Sequence, residues 1–208
     1  MSTQEDIHRA FLWVRQVYDE ARALFDDAAR LFDEEGLEAW YQSPSTAYTS
    51  VLRANDLPSV YLACQFFTPE EETESDPASE AGVAAFMAVD FFSEGRSGPA
   101  IFGGVVRYSN HKKVDHWLIN ATARRPGWDG RFAADPSSSD AFVAAFKPTA
   151  RGKAQHAGIE EVRLFEAPLT KIESPERLSE FVRAVRALRD GDSAPAVDFA
   201  KSCRTDPV

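Results

Sequence analysis

Apolar side chains return in a strict four-three alternation near the start of the chain: Ile7, Phe11, Val14, Tyr18, Ala21, Phe25, Ala28 and Phe32, flanked by Val17, Leu24 and Leu31. At 3.6 residues per turn these positions form one broad stripe, and acidic residues crowd the other side, so the spacing predicts an amphipathic helix over residues 7–32. Glu35-Gly36 falls where a left-handed residue would close it. The same heptad would suit a coiled coil, which makes a homodimer through this helix one expectation. The bulky ridge of Phe11, Tyr18, Phe25 and Phe32, with no regular opposite-sign flanks, instead favours packing on a sheet. Leu12 and Trp13 lie off the stripe and mark a candidate contact patch.

The periodicity then changes. Residues 60–67, 83–92, 100–108 and 114–123 are short apolar runs rich in β-branched and aromatic residues, and polar turn formers separate the last three. They predict antiparallel hairpins in a meander. Gly103-Gly104 inside one run predicts a bulge or a close approach to the backbone. Residues 48–53 suit a short edge strand and 162–172 a further strand interrupted at Pro168. Ser137-Ser-Ser-Asp140 reads as the start of a helix over 141–147, stopped by Pro148, and residues 152–158 read as loose.

Ser174-Pro175-Glu176 has the order of an N-cap, a first-turn proline and an acid at the positive end of a helix dipole. Leu178, Phe181, Val182, Val185 and Leu188 give that helix one apolar face, and Gly191 ends it. The expected fold class is therefore α+β: a long N-terminal helix and a C-terminal helix packed on a mostly antiparallel sheet of about five to six strands. Residues 1–191 read as one domain. Within it, residues 68–82 hold six acids and no base and are expected to form a mobile loop. Residues 192–208 read as a poorly ordered tail, in which Val197 and Phe199 offer docking points.

Composition narrows the function classes. A chain of 208 residues with 44% apolar side chains can bury roughly 70% of its unfolded surface, so no disulfide or metal staple is required. Its two cysteines are far apart, and Cys64 sits in an apolar run where a thiol acts as a small hydrophobe. The first residues show no secretory pattern and no window approaches a membrane span, so a cytoplasmic, non-membrane protein is expected. On that ground the sequon Asn120-Ala-Thr122 reads as a chance match.

The net charge of −10 disfavours nucleic acid overall, yet it is unevenly spread. Residues 96–153 carry ten bases and four acids, a net of +6 that leaves −16 elsewhere. Within that segment Arg107, Lys112, Lys113, Arg124, Arg125 and Arg131, with Trp128 and Tyr108, offer guanidinium groups and aromatic platforms to an anion or a single strand. Pairing of those cations with the protein's own acids is the competing explanation.

Chemistry-bearing motifs are sparse. Asp90, His111, Asp115 and His116 have the ligand types that zinc or ferrous iron accepts, but at no established spacing. Asp90, Asp115 and His116 would be the core of a metal-dependent hydrolase or nuclease, with His116 as a general base. A two-carboxylate variant would use Asp90, Glu94 and Lys112 or Lys113. Gly95-Arg-Ser-Gly98 misses the nucleophile elbow by its spacing, and both phosphate-loop patterns are lacking, so no cofactor is expected. The favoured expectation is a non-catalytic binding or regulatory module, of an immunity or adaptor type, with a protein partner that the acidic surface would draw from basic proteins. An open sheet face lined by Phe102, Tyr108 and Trp117 would instead indicate a ligand cavity.

Overall fold

The computed structural model describes residues 3–40, 62–69, 81–91, 98–109, 114, 116–119, 122, 130–136 and 141–204. The amphipathic stripe near the start lies on helix α1, Thr3–Glu34. Its end is a Schellman closure: Leu37 N–H donates to the Phe32 carbonyl at 2.8 Å and Gly36 N–H to that of Asp33 at 2.9 Å. Gly36 makes this possible at φ +75°, and Phe32 and Leu37, both fully buried, supply the apolar contact across the closure.

Among the described residues seven strands form one antiparallel sheet: β1 (Glu38–Ala39), β2 (Leu62–Thr68), β3 (Gly82–Asp90), β4 (Ala100–Tyr108), β5 (Phe132–Ala134), β6 (Val143–Pro148) and β7 (Ile159–Pro168), in the order β1-β2-β3-β4-β7-β6-β5. The expected α+β class holds, with slightly more strands than expected. The sheet is two meanders, one running out through β4 and one running back through β7, joined where those two strands pair.

Two predicted elements change identity. Residues 114–123 do not continue the first meander, because β7 occupies the place beside β4. Their described part turns into the short helix α2, His116–Ile119, and Thr122 Oγ1 donates to the Leu118 carbonyl at 2.8 Å. Val114 and Leu118 are both buried in the core on that side of the sheet. Residues 143–148 are a strand where a helix was expected. A short alanine-rich run carries no decisive period, and pairing on both sides with β5 and β7 decides it. The loose stretch beyond contains helix α3, Ala150–Gln155, whose N-cap Thr149 accepts from Gly152 N–H. The expected edge strand at 48–53 and most of the acidic loop lie outside the described residues.

Pleating sends alternate residues to two cores. Ala85, Met87, Val89, Ile101, Val105 and Phe165 face one with α1, and Ala84, Phe86, Ala88, Phe102, Val106 and Leu164 face the other with α2. A strand buried on both faces reads as a continuous apolar run, as β3 and β4 do.

After a 3₁₀ turn, Leu169–Lys171, helix α4 spans Pro175–Arg189 with all five predicted face residues buried. Gly191, at φ +96°, follows it. The expected tail is instead helix α5, Ala194–Arg204, docked through Val197, Phe199 and three small residues, Ala196, Ala200 and Cys203. The Ser174 side chain accepts from Arg177 N–H at 3.3 Å, as its position before Pro175 predicts. It also hydrogen-bonds the Glu176 carboxylate and, with that residue's own amide, holds its pKa below the usual glutamate value. A lowered folded pKa adds stability above the unfolded value and loses it as pH falls through the folded one. Because it removes the N-cap bond to Arg177 N–H, Ser174→Ala is expected to cost about 1 kcal/mol in urea unfolding near neutral pH. In the same variant the Glu176 titration, followed by carboxyl NMR, should move upward, and an unmoved titration would refute the cap's role.

Candidate functional site

The end of α1 has no basic residue in its last turn, and α4 supplies one: Arg186 Nε donates to the Glu35 carbonyl at 3.2 Å. Arg189 Nε likewise donates to the Val83 carbonyl at 3.0 Å, which ties α4 to the sheet beneath. With α1 and α4 both fixed on the same sheet face, a groove of about 430 Å³ remains between the middle of α1 and the start of α4. Val17, Leu24, Phe91, Leu169, Ile172 and Leu178 make it apolar, and three carboxylates, Glu20, Asp27 and Glu173, stand among its walls. No basic side chain is among the described residues that line it.

Val17, Glu20, Leu24 and Asp27 follow one another at helical spacing on α1, and one turn before Val17 comes Trp13. Trp13 is 66% exposed and its neighbour Leu12 52% exposed, the two large apolar residues most open to solvent among those described. The wall of the groove and the exposed indole therefore lie along one side of one helix.

The other sheet face is not an open cavity where it is described. Phe102 and Tyr108 are buried, and Trp40 stacks on Tyr108 with ring centroids 5.8 Å apart. Tyr108 is thus a core side chain and not a solvent-facing platform.

Of the six cations singled out as an anion-binding sector, Arg107 and Arg131 are described. Arg107 is exposed on β4, in register with Glu161 of β7. Arg131 precedes β5, with Nη1 3.4 Å from His156 Nε2. Three strand spacings, roughly 14 Å, separate β4 from β5, so these two arginines belong to different parts of the sheet. Lys147 Nζ lies 2.7 Å from Asp135 Oδ2, and this hydrogen bond with its charge attraction raises the lysine pKa, helped by Glu161. Its stabilising effect is present below the ordinary lysine value and is lost as pH rises through the raised one. Arg107, Glu161 and Lys147 thus alternate in sign across β4, β7 and β6, and Lys147 pairs with Asp135 just beyond β5. Lys112, Lys113, Arg124, Arg125 and Trp128 lie outside the described residues.

The metal candidates are placed only in part. Asp90 ends β3, is 1% exposed and stands opposite Ala100, whereas Tyr108, from which the chain runs on toward His111, stands opposite Gly82 at the far end of the same strand pair. His116 opens α2, while His111, Asp115 and Glu94 lie outside the described residues. Among the described residues no group of three or more His, Cys, Asp or Glu side chains could hold a metal ion.

No helix among the described residues is long and apolar enough to cross a membrane. Compared with known proteins, the chain matches no family model, no curated protein and no solved structure.

Proposed function

We propose that the chain is a non-catalytic protein-binding module of the cytoplasm that presents α1 to a protein partner. The observation that supports this most is the exposure of Leu12 and Trp13 on a helix whose described packing against the core begins at Val17. Aromatic side chains bury about 150–250 Å² each, so covering an exposed indole contributes roughly 3–4 kcal/mol before the cost of association. Tryptophan is correspondingly common among the residues that dominate interfaces. The negative net charge adds a long-range attraction for basic partners.

The test is a photo-crosslinking amino acid placed at position 13 in cells that naturally express the protein, with position 183, exposed on α4, as the control. A discrete adduct at 13 that is lacking at 183 is expected; an adduct of twice the chain mass would make the partner a second copy. Identical patterns at both positions would remove the reading. Trp13→Ala should leave the unfolding free energy from urea titration within about 0.5 kcal/mol of the parent, because the side chain it truncates is on the surface.

A further inference from the structure

We infer that the α1–α4 groove is the docking site for a basic amphipathic segment of the partner, one whose large apolar side chains enter the groove and whose lysines or arginines meet its carboxylates. This rests on the binding-module reading and adds the site and the chemistry of the occupant. Two observations select that occupant. The groove is apolar in its floor, so a hydrophilic polycation would leave it unfilled. Its described charged lining is of one sign, Glu20, Asp27 and Glu173, so an apolar segment bearing acids would be repelled and a neutral one would partly desolvate three carboxylates without bringing a cation, Glu20 keeping only its bond from the Gln16 amide.

The spacing sets the register. Glu20 and Asp27 are seven residues apart on α1, roughly 10 Å along the axis. A helical occupant matches this with cations about seven residues apart, and an extended one, whose side chains alternate, with cations about two or four apart on one side. From Trp13 to Asp27 the same side of α1 extends roughly 21 Å, which accommodates about fourteen helical or six extended residues. The indole then covers one end of the segment while the groove holds the other.

The experiment is selection of a random 15-residue peptide display library on the immobilised full-length protein, followed by fluorescence anisotropy with the enriched peptides. Enrichment of sequences with lysine or arginine at those intervals around leucine, isoleucine or phenylalanine is expected, with binding that weakens as salt is raised. Ala23→Trp, which puts a bulky ring at an exposed lining position, and the triple variant Glu20→Gln, Asp27→Gln, Glu173→Gln should each weaken binding about tenfold or more. All four altered side chains are exposed, and unchanged thermal melting would show that the variants fold. No enrichment, enrichment of neutral or acidic peptides, or binding indifferent to both variants would overturn the inference. A peptide whose binding is lost in Trp13→Ala but survives both groove variants would overturn the groove alone and leave the module reading standing. Groove-dependent peptide binding without an adduct specific to position 13 would support the groove and overturn only the part given to the indole.

Discussion

Phe181→Ala is expected to lower the unfolding free energy by about 4 kcal/mol, read from the shift of a urea transition. The ring is fully buried on α4, and its centroid lies 5.4 Å from that of Phe165 on β7 and 5.7 Å from that of Phe199 on α5. Phe165 and Phe199 are themselves 5.9 Å apart, so one aromatic triangle joins the sheet to both C-terminal helices. Truncation removes a large buried hydrocarbon and also leaves a hole that the rigid sheet side cannot close. Total stabilities are about 5–15 kcal/mol, so the variant would keep only a fraction of its margin. A loss below about 1 kcal/mol would mean that α5 is not held by this triangle.

The opposite change at the same contact is also expected to be severe. A Cβ built on Gly103 would stand 2.5 Å from Val185 Cγ2, 2.7 Å from Phe165 Cζ and 2.8 Å from Phe181 Cζ. None of these atoms belongs to a flexible surface chain, so Gly103→Val must push α4 off the sheet, at a cost of about 3 kcal/mol or more. Because Phe181 is one of the three obstacles, Gly103→Ala should cost less in a Phe181→Ala background than in the parent. Strict additivity of the two urea-derived losses would contradict this packing.

These contacts also show what could be read from the sequence and what could not. The glycine pair was legible as a place of close approach, and the ladder runs through it without a shift; the register shift falls at Arg107 and Tyr108. The C-terminal end of α1 and the start of α4 were legible because their signals are local: Gly36 past the last periodic residue, and Ser174-Pro175 before the first. The identity of residues 143–148 was not, since alanine-rich runs are settled by neighbours in the sheet and not by propensity. Helix α5 escaped notice because Ala196, Ala200 and Cys203 line its buried side with small residues and give little apolar contrast.

The candidate site was half legible. Leu12 and Trp13 stood out as apolar residues off the stripe, and their exposure follows from that. The groove beside them did not, because its walls come from residues near 17–27 and near 169–178, and only the tertiary packing of α1 and α4 brings those segments together. Strand order adds what spacing in the sequence does not carry. Clustering in sequence put Arg107 and Arg131 in one set, and the strand order sends them to different places.

The pairing of β4 with β7 has a consequence for how the protein is made. The two strands are roughly fifty to seventy residues apart in the chain, so the central ladder must wait until the whole second meander has emerged from the ribosome. Until then the nascent chain displays nine residues of β4 with one row of backbone donors and acceptors open, beside an apolar sheet face that α4 and α5 have yet to cover. That interval is when the protein is most exposed to aggregation, and it is when a chaperone would have the most to hold.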